Sequence, residues 1–300
     1  MKLSILAVVS TVSCVAAVAA CSSSSGNGFQ TTPEGDSGTI SSEGGTTDAG
    51  SESGGGALPY VGELTAAKEG TVFTITGAFF PTPTTTPTMP MCPTTGMSSG
   101  SCCYIPPAAA SDAGTTDGGA TAMAQSAGTI LIKDGTANVA ALNPLPNGGG
   151  YGVTSGANNP SVKWTPGDML SISAAGGTVQ AFSGSLTTVD DFAGVTPTLS
   201  TTATTISLGG DLAVSWTAGN GTTVAVTLIA FKGKAGDGLI TCQVSDTGST
   251  SVPGALLAKF TTGDTGAMSI NRTNVTKITG PNASVELVGT TTSSGVVKYQ

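Results

Sequence analysis

The chain has 300 residues, 44 of them glycine and 49 threonine, with 9% charged and 5% aromatic, which describes a polar, turn-rich polymer with few large side chains. It contains no histidine, and this removes the commonest general base, the Ser-His-Asp triads and most zinc sites. Ten Lys+Arg against eighteen Asp+Glu leave a net charge of −8 with no basic run, so the field that draws in a phosphate backbone is missing and no nucleic-acid partner is expected.

Lys2 is followed by an apolar run from Leu3 to Ala20, interrupted only by Ser4, Ser10, Thr11, Ser13 and Cys14. Its length and flanking charge are those of a signal peptide over 1–20, not of a stop-transfer helix. The run closes on Val18-Ala19-Ala20-Cys21. These four residues resemble the lipobox of bacterial lipoproteins, where small residues admit the lipoprotein signal peptidase and the cysteine thiol carries a diacylglycerol. The resemblance implies that Cys21 is the acylated amino terminus of the mature protein, held to the membrane by its lipid, since two or more acyl chains anchor stably. By the same resemblance to Gram-negative lipoproteins, Ser22 in place of Asp after the cysteine implies the outer membrane. Simple cleavage at a small-residue site would leave Cys21 incidental, but a tether follows the cysteine at once.

That tether completes the segment 21–57. Residues 22–57 hold ten Gly, nine Ser and five Thr, with charges only at Glu34, Asp36, Glu43, Asp48 and Glu52. Nothing there can bury a core. A Gly/Ser coil of this length spans roughly 30–36 Å, enough to hold a domain clear of the headgroups, and five carboxylates scattered through a coil make a poor calcium site.

From Leu58 on, short alternating runs are separated by Gly, Pro, Asn and Asp, and the period of two predicts half-buried strands. Phe73 and Ile75 share a face, as do Ile130 and Ile132, and Leu170 and Ile172. The later runs are Leu212, Val214 and Trp216; Val224, Val226, Leu228 and Ala230; and Ile240, Cys242 and Val244. The abundance of Val and Thr suits a pleated surface with one wet face. The expected fold is all-β: two antiparallel, Ig-like β-sandwich units over 58–192 and 193–300, the second with about seven strands. Asp190-Asp191 and Gly194-Val195-Thr196-Pro197 mark the boundary, and Ser251–Ala258 is the expected short helix or crossover, with Ser able to cap and Pro early.

Val162-Lys163-Trp164-Thr165-Pro166-Gly167-Asp168 and Val214-Ser215-Trp216-Thr217-Ala218-Gly219-Asn220 share the form V-x-W-T-x-G-D/N. Pro166 and Gly167 suit the two central positions of a type II turn, so each tryptophan is expected to close a strand just before a turn. The stretch Asp211–Thr217 is similar to the tryptophan strand of immunoglobulin-like or fibronectin-type-III-like sandwiches. Together the lipobox, the tether, the W-T-P-G-D turn and this strand resemble secreted Gram-negative lipoproteins with β-sandwich bodies, a group with no assigned activity.

Cys14 leaves with the signal peptide, so beyond Cys21 four cysteines remain: Cys92, Cys102, Cys103 and Cys242. In an exported chain they imply up to two disulfides. A bond between the neighbours Cys102 and Cys103 is the least suitable, because adjacent Cα atoms lie closer than the usual disulfide range. Cys92 with Cys102 or Cys103 is the local choice, closing a Pro/Thr-rich loop. Cys242 is in phase with the buried face of its strand, as a free thiol or as the leftover cysteine's partner, which would staple the two units. Gly96-Met97-Ser98-Ser99-Gly100 matches G-x-S-x-G, but a nucleophile elbow needs a strand before it, a helix after it and a histidine. No S-x-x-K, P-loop or dinucleotide fingerprint occurs. Asp190-Asp191 is the only adjacent carboxylate pair; neighbouring side chains on a strand point apart, which argues against catalysis and leaves a structural calcium or a solvated hinge.

The expected function is therefore non-enzymatic and without cofactor: binding, adhesion or envelope scaffolding at the outer membrane, with a glycan or an envelope protein as partner. The alternatives are an accessory carbohydrate-binding module, for which Tyr60, Tyr104, Tyr151, Phe231 and Tyr299 are the candidate platform, and an enzyme of unknown type.

Overall fold

Where apolar residues alternate with Thr and Ser, the described residues form strands, with a single turn of α-helix among them. The computed structural model describes residues 58–82, 92, 96–107, 123–146, 150–232 and 235–300, so the signal peptide, Cys21 and the tether lie outside the described residues. In chain order the first strands are Tyr60–Glu69 (β1), Val72–Pro81 (β2), Met97–Ser99 (β3), Cys102–Ile105 (β4), Ile130–Asp134 (β5), Ala137–Leu142 (β6), Tyr151–Thr154 (β7), Met169–Ala174 (β8) and Phe182–Thr187 (β9). Seven more follow: Thr204–Ile206 (β10), Leu212–Ser215 (β11), Thr223–Lys232 (β12), Ala235–Ser245 (β13), Ser249–Val252 (β14), Thr265–Thr279 (β15) and Ala283–Tyr299 (β16). A single helical turn, Gly254–Leu257 (α1), precedes β15. It lies in the expected tract, but Pro253 is its N-cap and makes no side-chain cap. Asp211 Oδ1 instead accepts from Gly254 N at 2.8 Å.

The strands build a ten-stranded sheet in the order β3-β4-β13-β12-β15-β16-β1-β2-β7, with β10 also on β16, a four-stranded sheet β6-β5-β8-β9, and the pair β11-β14. Most pairings are antiparallel, as expected, but β1 and β10 both run parallel to β16. Parallel neighbours need a long crossover, and here almost the whole chain separates β1 from its partner.

The long hairpin β15–β16 corrects the expected domain order. Its strands are 15 and 17 residues long, and at roughly 3.4 Å per residue the longer reaches about 55 Å, more than one small sandwich needs. On the inner face of β16, Ala283, Val285 and Leu287 belong to one hydrophobic cluster with residues of β1, β2, β5, β8 and β9. Val297 and Tyr299 belong to a second cluster with β12, β13 and α1. Between these ends the inner face of β16 is Gly289, Thr291, Ser293 and Gly295. Two cores thus sit on one sheet, and 58–300 is one unit of structure. The two expected units, 58–192 and 193–300, are not sequential domains: β1 pairs with β16, across the boundary expected near 193, and carries β2 with it.

The inner face alternates as the sequence predicts. Val224, Val226, Leu228 and Ala230 are fully buried, as are Ile240 and Cys242, each large one contributing about 1.5–3 kcal/mol of transfer free energy. In the first core the four-stranded sheet lies over β1 and β2. A void of about 10 Å³ between them is lined by Leu64, Thr65, Ala66, Ile75, Ile132, Leu170, Ile172 and Leu186, too small and too apolar for a ligand.

Both tryptophans are core residues, Trp164 edge-on to Phe73 at 4.7 Å and Trp216 edge-on to Phe192 at 6.5 Å. Trp216 directly follows β11, but that strand is four residues long, pairs with β14 and otherwise makes a single bridge to Thr196, so it is not the central strand of an Ig-like sheet. Trp164 belongs to no strand; it precedes the turn that leads into β8. That turn has the expected type II form: Asp168 N donates to Thr165 O at 3.0 Å, and Gly167 has φ 91°, which glycine adopts freely.

Candidate functional site

The polar middle of the β15–β16 hairpin is where the expected hinge lands. The connection leaving β9, from Thr187 to Phe192, crosses the inner face of the sheet between the two cores, and many of the polar groups it brings find partners there. Asn274 Nδ2 donates to Thr187 O at 3.2 Å. Thr188, buried, donates its N–H to Asp168 O at 2.9 Å. Asp190 N donates to Asn220 Oδ1 at 2.8 Å, and Asn220 N returns a bond to Asp190 Oδ2 at 3.2 Å. Asp191 forms an ion pair with Lys68 and accepts from Thr291 Oγ1 at 3.3 Å.

Arg272, on β15, is fully buried at the centre of this seam. Its Nη1 donates to the carbonyls of Asp190 and Asp191 at 2.9 and 3.2 Å. Nη2 donates to Thr217 O at 2.7 Å and to Asp246 Oδ1 at 3.3 Å. Nε lies 2.7 Å from Asp246 Oδ2, but its N–H does not point along that line, so this contact is coulombic. The guanidinium also stacks over Phe192, 4.5 Å from the ring centroid. Room for so large a cation comes from Gly219 and Gly221, where a Cβ would approach Arg272 to 2.7 and 2.4 Å.

Asp246 has a side chain only 1% exposed. Trp216 Nε1 donates to its Oδ1 at 2.7 Å and Gly219 N to its Oδ2 at 3.1 Å. Burial by itself raises this carboxyl, but the bonds from Trp216 and Arg272, the charge of Arg272 and the Gly219 N–H together outweigh it and hold Asp246 below the ordinary carboxylate range. The ion pair stays charged, and an arginine does not give up its proton. Chemically the Arg272–Asp246 pair is a buried lock, while the Asp191 carboxylate at the edge of the seam is 51% exposed and paired with Lys68.

The residues singled out in the sequence therefore separate. Asp190 and Asp191 turn to Asn220 on one side and to Lys68 and Thr291 on the other, so these partners hold the connection while the Asp191 side chain remains 51% exposed. Among the described residues no group of three His, Cys, Asp or Glu side chains converges to hold a metal. A carboxylate pair that sequence reasoning missed lies nearby: Asp134 at the end of β5 is raised above the ordinary range by burial, then by the charge of Asp168 and a hydrogen bond to it. The two are 34 residues apart and no local pattern joins them.

The cysteines pair as Cys92–Cys103 and Cys102–Cys242, with Cα separations of 5.4 and 3.9 Å. Because neighbours on a strand face opposite ways, Cys102 points into the second core and Cys103 to the other side of the sheet, so the two bonds pin the β3–β4 hairpin on both faces. Cys102–Cys242 joins strands adjacent in one sheet and does not staple separate units. Gly96 packs on the outer bond, where a Cβ would meet Cys92 Sγ at 2.8 Å. The G-x-S-x-G stretch is β3 and the start of the turn into β4, with Ser98 opposite Cys103. Of the aromatic candidates, Tyr151 and Tyr299 are core residues: Tyr151 Oη donates to Gly128 O and Tyr299 Oη to Ile229 O, each at 3.0 Å. Tyr60, Tyr104 and Phe231 are half-buried, so the five form no platform.

No protein-family model matches the chain, and no curated protein does. Among solved structures, one described as giving insight into host cell surface retention of a 1.5-MDa bacterial ice-binding adhesin is similar at 14% identity and a TM-score of 0.20. The match covers 82% of this chain and 66% of that one. The chain is a β-rich protein with a distant structural similarity to a bacterial adhesin.

Proposed function

We propose that this chain is a lipid-anchored, non-catalytic binding protein of the bacterial outer membrane, which presents one face of its long sheet at the end of a flexible tether. The lipobox residues Val18-Ala19-Ala20-Cys21 and the Gly/Ser-rich segment 22–57 support the anchor and the spacer. The observation that carries the binding role is the division of labour between the two faces of the ten-stranded sheet. Every residue that this sheet gives to either core projects from the same face. The opposite face gives none, and its Val72, Phe80 and Val275 are 40–46% exposed. One face of an antiparallel sheet is commonly left to water, and here that face is broad, ordered and available for contact.

Two measurements test this reading. Cys21→Ala is expected to move the protein from the membrane fraction to the soluble fraction, or to leave an uncleaved precursor; membrane partition that is unchanged refutes the anchor. A panel of ester, peptide and glycoside substrates is expected to show no turnover above buffer, and turnover abolished by a single Ser or Asp substitution would overturn the non-catalytic role.

A further inference from the structure

We infer that the outer face of the ten-stranded sheet is a binding site for an uncharged polysaccharide, read by aligned threonine hydroxyls. The inference rests on the binding role proposed above and names its ligand class. Strand register places Thr223, Thr273, Thr290, Ala67, Thr74 and Thr154 in one line across β12, β15, β16, β1, β2 and β7. At roughly 4.8 Å per strand the line is about 24 Å long, and its step is near the length of one sugar ring in an extended chain. Each hydroxyl both donates and accepts, as each sugar hydroxyl does.

The side chains hold one another in place. Thr273 Oγ1 donates to Asn271 Oδ1 at 2.9 Å, Asn271 Nδ2 donates to Thr292 Oγ1 at 2.9 Å, and Thr74 and Thr154 meet at 3.4 Å. These groups pay little rotamer entropy on binding, because the threonine χ1 is already stiff and already bonded. The residues are half-buried or exposed, and none belongs to a core.

Charge selects the class of polymer. On the described part of this face the middle rows carry one charge, Glu69, whose carboxylate accepts from Ser294 Oγ at 3.0 Å. The other charges stand toward the ends, with Lys277, Glu286 and Glu63 sharing one register row and Lys298 at the far end. Residues 58–300 carry nine Lys+Arg against thirteen Asp+Glu, a net charge of −4. A polyanion meets a repelling body around a strip that gives it no cation, whereas a neutral polyol meets no repulsion and finds a full set of hydrogen-bonding partners. The half-buried Tyr60, Tyr104 and Phe231 form no aromatic platform, so the contact is polar and of modest affinity.

The test uses the full chain and three probes: amorphous cellulose and chitin beads as neutral polymers, alginate beads as the polyanion. The expected result is retention on at least one neutral polymer and none on alginate. The triple variant Thr74→Val, Thr273→Val, Thr290→Val, which keeps shape and β propensity, is expected to lose tenfold or more in retention, while the matching Thr→Ser triple keeps most of it. Retention on alginate alone, no retention on either neutral polymer, or retention unchanged in the Val triple overturns the inference. So does a wild-type mass above the monomer by sedimentation that falls to the monomer in the Val triple, which would make the face an interface between copies. A chain that fails on all beads yet is captured by envelope fractions, and released by Cys21→Ala, sinks the polysaccharide while leaving the anchored binding role standing.

Discussion

Replacing Arg272 by alanine tests the reading of the seam most directly. The substitution leaves the Asp246 carboxylate, 1% exposed, without its cation, and strands the carbonyls of Asp190, Asp191 and Thr217 that the guanidinium serves. Removing one member of a buried ion pair costs about 3–5 kcal/mol, a large share of the roughly 5–15 kcal/mol that holds a domain folded. The two tryptophans report separately, Trp164 from the first core and Trp216 from the second, beside Asp246. Urea unfolding of Trp164→Phe and Trp216→Phe backgrounds should give coincident transitions with Arg272 present. With Arg272→Ala the Trp216 signal should move first and furthest. The double change Arg272→Met, Asp246→Leu sharpens the point. Apolar replacement of a buried pair is often neutral, but here Arg272 also serves three backbone carbonyls and Asp246 also serves Trp216 and Gly219, so the double variant should remain at least 2 kcal/mol less stable, about one stranded polar group. A loss below about 1 kcal/mol in Arg272→Ala, no more than one ordinary hydrogen bond, would refute the seam as a lock between cores.

Nonreducing peptide mapping should find Cys92–Cys103 and Cys102–Cys242; a Cys92–Cys102 peptide would contradict the two-faced pinning of β4. From sequence separations of 11 and 140, the chain-entropy relation gives about 3 kcal/mol for the first bond and about 5 kcal/mol for the second, so the Cys102→Ala, Cys242→Ala pair should lower the urea midpoint more than Cys92→Ala, Cys103→Ala. Gly167→Ala should cost about 1–2 kcal/mol, because the residue has φ 91° and an added Cβ would stand 2.8 Å from Asp190 Oδ1; Asp190→Ala in the same chain should recover only the part due to the clash, as chemical denaturation will read. Asp246, held below the ordinary carboxylate range in the folded state, contributes stability that is present at neutral pH. That contribution declines once the pH falls below about 4, where the unfolded carboxyl protonates, and is gone below the lowered native value. Asp246→Asn should therefore flatten the acid limb of stability against pH; an unchanged limb would place that acid sensitivity elsewhere.

Strands whose residues all answer to one core were legible in the sequence. Val224 to Ala230 alternate without a break, and so do Ile130 with Ile132 and Leu170 with Ile172, because each run reports one buried face. The turn at Pro166-Gly167 was legible for a different reason: its chemistry is local, a fixed φ followed by a residue free to take a positive one. The hairpin β15–β16 was not legible. Its inner face is apolar only at the ends, and the middle run Thr290-Thr291-Thr292-Ser293-Ser294-Gly295 has no period. An arginine at position 272 reads as a solvated charge until the carbonyls of a connection 81 and 82 residues away are laid against it. The bond from Asp211 to Gly254, across 43 residues, was hidden in the same way, as was the pairing of Asp134 with Asp168.

The two V-x-W-T-x-G-D/N stretches gain a physical account from the same crossing. Their offset of 52 residues matches neither core, so duplication of a domain does not explain them. Each instead grips one end of the connection between the cores. At the first, the carbonyls of Thr165 and Asp168 accept from Thr188 Oγ1 at 3.3 and 3.0 Å. At the second, Thr217 N donates to Ala193 O at 2.8 Å, and Asn220 closes its reciprocal pair with Asp190. Each tryptophan fills its own core and stops just short of the seam, each glycine lets the backbone come close, and the Asp or Asn at the end faces the crossing chain. What recurs is a way of ending a core against a shared connection. The two copies need not be equivalent, and they are not: only the second meets Arg272, through the Thr217 carbonyl and the space left at Gly219. Changes in the second turn should therefore be felt through the ion pair as well as the crossing, and changes in the first through the crossing alone.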